Sequence, residues 1–135
     1  MWCLLFTATL INDEDILFVA VSMSIHAVFI WRRELLFEKK SFVILLALST
    51  LFFFLSYVLL QANVGNPKMV ALIRVPLLAL IVFFAMKSVY FKIYDKNPVD
   101  TFWTMDISLM KDGIFNFLFW ITGLLLPIFL TFKVL

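Results

Sequence analysis

The chain has 135 residues, of which 64% are hydrophobic and 15% are charged, and its formal net charge is +2. An ordinary soluble domain is about 45–50% apolar, and a disordered chain combines low hydrophobicity with high net charge, so this composition excludes both classes. No basic stripe with interleaved aromatic residues occurs, which excludes nucleic acid as a partner. The sequence predicts an all-α integral membrane protein with a single transmembrane domain over residues 1–135.

The amino-terminal segment is apolar, but its first eleven residues are too few to cross a bilayer as a helix. The segment has no Lys or Arg ahead of its apolar run, so we do not expect a cleavable signal peptide. We interpret the segment as a hydrophobic arm at the membrane surface or against a partner. Cys3 is the only cysteine, which excludes an intrachain disulfide and a thiolate metal cage. The sequence contains no P-loop, HExxH, GxSxG or dinucleotide motif, and we therefore expect no enzymatic activity.

Four apolar segments approach the length of about 20 residues that a membrane-spanning helix needs. They cover residues 16–31, 42–60, 69–91 and 114–132. The connections after the first and second segments are short, and short connections favour antiparallel neighbours. The sequence therefore predicts four transmembrane helices arranged as two antiparallel hairpins.

The basic residues are distributed unequally between the two sides of these spans. Eight lie after span one or from the inner end of span three onwards, and three lie on the opposite side: Arg32, Arg33, Lys39, Lys40, Lys87, Lys92, Lys96 and Lys111 against Lys68, Arg74 and Lys133. Basic loops remain on the cytoplasmic side. We expect both termini outside and loops 32–40 and 92–113 on the cytoplasmic or matrix side, in a bacterial cytoplasmic membrane or an organellar inner membrane.

His26 is the only histidine and lies ten residues into the first span, near the bilayer centre. A titratable group at this depth is a functional candidate: it could relay a proton or serve as the single axial ligand of a haem or pigment. The structural alternative is a neutral imidazole that is hydrogen-bonded between helices. Beyond this weak candidate the sequence indicates no cofactor or metal site.

Arg74 lies about five residues inside the outer end of the third span, close enough to snorkel to the headgroups. It could instead pair with Glu14 or Asp15 on the same side, or form a charged outer vestibule that binds an anion or a lipid phosphate. Pro76 cannot donate a hydrogen bond to the carbonyl of Leu72, which predicts a kink at this point of the third span.

Pro127 has the same effect in the fourth span, where it frees the carbonyl of Gly123. The sequence therefore predicts a bend in the outer half of that span. Two kinked helices could line a cavity, because broken helices are common in transporters, or they could simply accommodate a neighbouring helix.

Residues 98–112 separate into an apolar and a polar side on a helical wheel. Asn97 and Pro98 resemble a helix start, Gly113 resembles a stop, and Asp112 falls on the polar side. The pattern predicts a short amphipathic helix in the cytoplasmic interface, or one packed on a partner or on loop 32–40. Asp106 breaks the apolar side.

Two interpretations of Asp106 are open. It could bind a cation or pair with Arg32 or Arg33, because an unpaired carboxylate is costly to bury. Alternatively, the helix breaks at this residue, and Asp106 caps the run into the fourth span.

These features favour a non-catalytic membrane subunit that scaffolds, stabilises or regulates a larger membrane complex. Its partners would be the lipid bilayer with bound lipids, and other membrane subunits or copies of itself. One alternative is a small oligomeric channel or transporter with Arg74 and His26 near the path. A second alternative is a haem- or pigment-holding subunit that uses His26.

Overall fold

The computed structural model describes the backbone of residues 13–101 and 107–129, and the side chains of residues 15–101 and 107–129. This part of the chain is helical and contains no strand, which confirms the all-α prediction. The helices are α1 (Asp13–Trp31), α2 (Glu34–Phe37), α3 (Lys39–Gln61), α4 (Pro67–Leu72), α5 (Val75–Tyr94) and α6 (Met110–Phe119). A 3₁₀ turn (Ile107–Leu109) precedes α6, and a π-helical segment (Trp120–Leu125) follows it.

Three helical segments are long and apolar enough to cross a membrane. They are Lys39–Gln61, Pro67–Tyr94 and Ile107–Phe129. They correspond to the second, third and fourth predicted spans. The first predicted span coincides with α1, whose apolar part, Asp15–Trp31, is shorter than the other three segments.

The boundary between α3 and α4 follows from local chemistry. Asn66 caps α4, since its side-chain oxygen accepts a hydrogen bond from the backbone N–H of Lys68 at 3.0 Å, and Pro67 occupies the first helical turn, where no N–H is needed. Gly65 has φ +70, a conformation that glycine adopts without strain. A Cβ atom at this glycine would also lie only 2.6 Å from Phe18 Cε2. The turn can therefore pack closely against α1.

Helix α5 lies at the centre of the bundle and packs against α1, α3, α6 and the π-helical segment. Its residues Ala79, Leu80 and Phe83 are buried. The ring of Phe83 meets those of Phe37 and Phe119 edge to face, with centroids 5.3 and 5.0 Å apart. Because lipid is as apolar as these side chains, their close packing rather than removal from water holds the helices together.

The amphipathic helix predicted over residues 98–112 is wrong at both ends. Residues 98–101 are not helical, and the chain is helical from Ile107 through Gly113 into the last apolar segment. The backbone N–H and C=O of Val99 bond to side chains of α6 instead of to helical neighbours, which explains the non-helical start. Asp106 lies outside the described residues.

Candidate functional site

Helix α4 ends and α5 begins at a break in the third apolar segment, at Ile73 and Arg74, just before Pro76. Pro76 has no N–H for the carbonyl of Leu72. Ser22 Oγ of α1 donates a hydrogen bond to this carbonyl at 2.8 Å. The kink that the sequence predicts near Pro76 therefore coincides with a break, and a neighbouring helix supplies the missing donor.

A second serine, on α3, forms hydrogen bonds to residues on both sides of the break. Ser56 Oγ of α3 donates to the carbonyl of Val70 at 3.0 Å, and the same oxygen accepts a hydrogen bond from Arg74 Nε at 2.9 Å. Ser22 and Ser56 are both fully buried. The break is thus held from both sides by hydroxyl groups that satisfy backbone carbonyls in an apolar environment.

Arg74 is half-buried beside this break. Its guanidinium lies over the ring of Phe53, 5.6 Å from the centroid, in addition to its bond with Ser56. Among the residues whose side chains are described, no ion pair joins Arg74 to Asp15, which is buried and accepts a hydrogen bond from the backbone N–H of Asn66 at 2.9 Å. The expected pair with Asp15 is therefore absent from this structure, and the side chain of Glu14 lies outside the described part.

His26 is buried one turn after Ser22 on α1. Its Nδ1 lies 2.9 Å from the carbonyl of Ser22, so this nitrogen carries the proton and donates within its own helix. The hydrogen bond that crosses to another helix comes from the Ser22 hydroxyl rather than from the imidazole. His26 Nε2 has no hydrogen-bond partner within residues 15–101 and 107–129.

A metal-bound histidine commonly has one ring N–H on a carbonyl and the other nitrogen free, as His26 does. However, the side chain is only 3% exposed and Nε2 is enclosed by protein atoms. The Phe29 ring packs near the imidazole, with centroids 6.0 Å apart. A haem or pigment would have to displace packed side chains to reach this nitrogen, so the surroundings of His26 do not fit such a group.

A polar cluster at the opposite, basic end of the bundle was not foreseen from the sequence. Asp112 of α6 is completely buried, although the helical wheel places it on the polar side. Its carboxylate accepts hydrogen bonds from Tyr90 Oη at 2.6 Å, Lys96 Nζ at 2.9 Å and the backbone N–H of Val99 at 3.2 Å. These three donors offset the cost of removing the carboxylate from water.

Asn116 extends this cluster one turn further along α6. Its Nδ2 lies 2.8 Å from the carbonyl of Val99, 3.2 Å from Thr101 Oγ1 and 2.8 Å from the carbonyl of Asp112. We call Tyr90, Lys96, Asp112 and Asn116 the carboxylate cluster. Its hydrogen bonds hold the non-helical segment 95–101 against the last turns of α5 and the first two turns of α6.

The electrostatics of the cluster favour the charged form of Lys96. The hydrogen bond to Asp112 raises the pKa of the Lys96 ammonium. Lys96 is still 47% exposed, so water shares the stabilisation of its charge. The ammonium therefore remains protonated at neutral pH. It keeps its hydrogen bond to Asp112 and does not serve as an acid that releases a proton.

Arg33 links the same segment to the connection between α1 and α3. Its side chain is 3% exposed, and Nη1 lies 3.9 Å from Asp100 Oδ1. Burial lowers the pKa of the Arg33 guanidinium, and the Asp100 carboxylate partly opposes this change. The expected partner of this arginine, Asp106, is not described, while Arg32 is exposed and bonds to Glu34.

Pro127 lies buried among the helical residues 126–129, which follow the π-helical segment. A π-helix inserts an extra residue into the helical hydrogen-bond pattern. This segment contains Gly123, whose carbonyl Pro127 is expected to free, and the bend of the fourth span stays a prediction. Gly123 within this segment leaves room for the ring of Phe119, whose Cε2 would clash with an added Cβ. The aromatic core therefore reaches into the irregular part of the last helix.

The buried polar side chains described above already form hydrogen bonds or an ion pair with other parts of the chain. The carboxylate cluster and the serine ties each join neighbouring helices, and no group of three His, Cys, Asp or Glu side chains in the described ranges could hold a metal ion. No protein family matches the chain, and no similar protein was found among curated proteins or solved structures.

Proposed function

We propose that the chain is a non-catalytic multi-pass membrane subunit that scaffolds, stabilises or regulates a larger membrane complex. The observation that carries this proposal is the exposure of α3. Only 11% of the apolar window of α3 is buried, against 50% for Pro67–Tyr94 and 39% for Ile107–Phe129. Helix α3 therefore touches the bundle along a narrow strip and offers most of its surface to its surroundings.

Between Val43 and Val58 the exposed side of α3 is continuous and carries no charge. Its large apolar residues recur at the spacing of one helix face: Val43, Ile44, Leu48, Leu51, Phe54, Leu55 and Val58. We call this set the outer face of α3. Its branched and aromatic side chains suit close packing against a helix of another subunit or of a second copy.

The internal polar groups support a structural role as well. Ser22, Ser56 and Arg74 hold the helix break, and the carboxylate cluster holds the basic end. Groups that are engaged in this way fix the shape of a scaffold. This use of the polar residues leaves the outer surface as the place where the chain would act.

The topology belongs to the same proposal. Helix α1 has 19 residues, which gives about 28 Å at 1.5 Å per residue and approaches the thickness of the hydrocarbon core. We infer that α1 also crosses the membrane, giving four spans in two antiparallel hairpins, with both termini outside. The membrane would be a bacterial cytoplasmic membrane or an organellar inner membrane.

Cysteine labelling tests the orientation of α3 in this topology. In a Cys3→Ser background, Lys40→Cys and Gln61→Cys place single thiols at the two ends of α3, both at exposed positions. A membrane-impermeant maleimide added from outside should label Gln61→Cys and leave Lys40→Cys unlabelled until the membrane is opened. Labelling in the reverse order would overturn the assignment.

Cross-linking on α3 tests the subunit role. Leu51→Cys lies on the outer face and is 68% exposed, whereas Ser49→Cys, two residues earlier, replaces a side chain that is 1% exposed. In native membranes we expect Leu51→Cys to cross-link to a second chain and Ser49→Cys to remain free. Native mass spectrometry in mild detergent should show the same assembly, and a clean monomer without cross-links would refute the role.

The break between α4 and α5 favours a second candidate, a small oligomeric channel or transporter. Discontinuous helices form binding sites in many transporters, and Arg74 and His26 both lie close to this break. Proteoliposomes that contain only this chain would then conduct or exchange a solute. Arg74→Gln and His26→Gln should change that flux, whereas Lys68→Gln, outside the break, should not.

A further inference from the structure

A pocket of about 590 Å³ opens at the basic end of the bundle, between the start of α3 and the last turns of α5. This volume lies in the range of about 300–1,000 Å³ that is typical of sites for small molecules. The walls are apolar and mainly aromatic: Leu36, Phe37, Phe42, Phe83, Phe84 and Phe91. We call this the basic pocket.

The polar lining of the basic pocket is one-sided in charge. It consists of Lys39, Lys87, Ser88 and Asn97, without a carboxylate. Within the described part of the chain, neither lysine forms an ion pair. The Ser88 hydroxyl donates to the carbonyl of Phe84 at 2.8 Å. The two ammonium groups and the Asn97 amide are the donors that match an anionic group with several acceptor oxygens.

The position of the lysines adds a second argument. Lys87 lies seven residues before Tyr94 at the end of α5, or about 10 Å along the helix. An ammonium at this depth reaches towards the headgroup region while its alkyl chain lies along apolar surface. The charged part of the pocket therefore faces the headgroup region, and the deeper aromatic residues Phe42, Phe83 and Phe84 extend towards the acyl chains.

We propose that the basic pocket binds one anionic phospholipid. Lys39 and Lys87 hold the headgroup phosphate, and one acyl chain lies against Phe42 and Phe84, which are deeper in the bundle than the two lysines. The bilayer supplies this ligand in excess, and the excess negative charge of the headgroup gives preference over a zwitterionic lipid. This inference rests on the membrane location of the chain and is independent of its role as a subunit.

Native mass spectrometry of the full chain in mild detergent, with added phosphatidylglycerol or phosphatidylcholine, tests the headgroup. The wild-type chain should retain one phosphatidylglycerol in preference to phosphatidylcholine. The double variant Lys39→Gln, Lys87→Gln should bind phosphatidylglycerol about thirtyfold more weakly. Lys40→Gln with Lys92→Gln removes the same charge at the same end but outside the pocket, and should stay within about twofold of wild type.

Two further measurements separate the pocket from surface charge and from a free anion. Ser88→Trp fills the pocket without removing charge and should release the phospholipid, with an unfolding midpoint that shows the variant is folded. Millimolar inorganic phosphate should not displace the lipid, because it has no acyl chain. Equal binding of both lipids, equal losses in the two double variants, retention of lipid by Ser88→Trp, or full displacement by phosphate would each overturn the proposal.

Discussion

The buried carboxylate of Asp112 offers the sharpest test of how the basic end is held together. Asp112→Ala removes the acceptor of three hydrogen bonds and leaves the Tyr90 hydroxyl, on a side chain that is 5% exposed, without that partner. Lys96 and Val99 are each about half exposed and regain water, so most of the cost comes from the buried hydroxyl of Tyr90. Since an unsatisfied buried donor costs about 1–3 kcal/mol, we expect a loss of about 3 kcal/mol.

Asp112→Asn separates the loss of charge from the loss of shape. The amide oxygen can still accept from Tyr90, so the expected loss is smaller, about 1–2 kcal/mol. The matched control is Asp95→Asn, which removes the same charge from an exposed residue at the end of α5. Asparagine tolerates the left-handed conformation of this residue, whose φ is 53, so the control should remain within about 0.5 kcal/mol of wild type.

Reversible unfolding of the full chain by sodium dodecyl sulfate in mixed micelles, followed by tryptophan fluorescence, measures these differences. The three variants should rank Asp112→Ala, Asp112→Asn, Asp95→Asn in order of decreasing loss. If Asp112→Ala costs no more than Asp95→Asn, the carboxylate is not a buried tie, and the reasoning about the cluster fails.

The same cluster has a defined dependence on pH. Because the bond with Asp112 raises the pKa of Lys96, the folded chain holds this proton more tightly than the unfolded chain. The stabilisation is complete below the ordinary pKa of lysine and is lost as the pH rises through the higher folded value. The difference in unfolding free energy between wild type and Lys96→Gln should therefore be constant from about pH 6 to pH 9. A change of this difference across neutral pH would contradict a raised folded pKa of Lys96.

Two further pairs of variants compare identical substitutions in different surroundings, with the same unfolding assay. Ser22→Ala removes the tie to the helix break and should cost about 0.6–1.7 kcal/mol, whereas Ser24→Ala, whose hydroxyl bonds only within α1, should cost almost nothing; equal losses would contradict the tie. Gly123→Ala forces the buried ring of Phe119 to move and should cost about 1–3 kcal/mol. Gly113→Ala meets its nearest atom at 3.7 Å and should stabilise the helix by about 0.5–1 kcal/mol, so a gain at both glycines would refute the packing around Phe119.

The apolar segments and the break in the third one could be predicted because both depend on local rules. Length and hydropathy indicate the helices, and the missing N–H of Pro76 points to the freed carbonyl of Leu72. The donor that satisfies this carbonyl could not be predicted, since Ser22 lies 50 residues away in sequence. In the same way Arg74 stood out as a charge inside a span, but its partner Ser56 is set by the packing of α3.

The carboxylate cluster shows where local reasoning misleads. A helical wheel over residues 98–112 assumes that the segment is helical, and this assumption placed Asp112 on a polar surface. In the structure Val99 forms hydrogen bonds to Asp112 and Asn116, which lie 13 and 17 residues away in the sequence. A helical wheel compares only positions on one helix, so it cannot show such contacts. One signal was present in the sequence: Asp112 and Asn116 are spaced i and i+4 on a helix whose next apolar residues include Phe119. This spacing points to a polar pair turned towards a partner segment.

The two proposals act on different surfaces and can therefore be tested for coupling. The outer face of α3 and the basic pocket share that helix, since Lys39 and Phe42 of the pocket lie in its first turn. If the lipid only fills the pocket, the variant Lys39→Gln, Lys87→Gln should lose phosphatidylglycerol and retain the cross-link through Leu51→Cys. Loss of both would indicate that the bound lipid forms part of the subunit contact, because a headgroup at the start of α3 would then fix the orientation of the face that meets the partner.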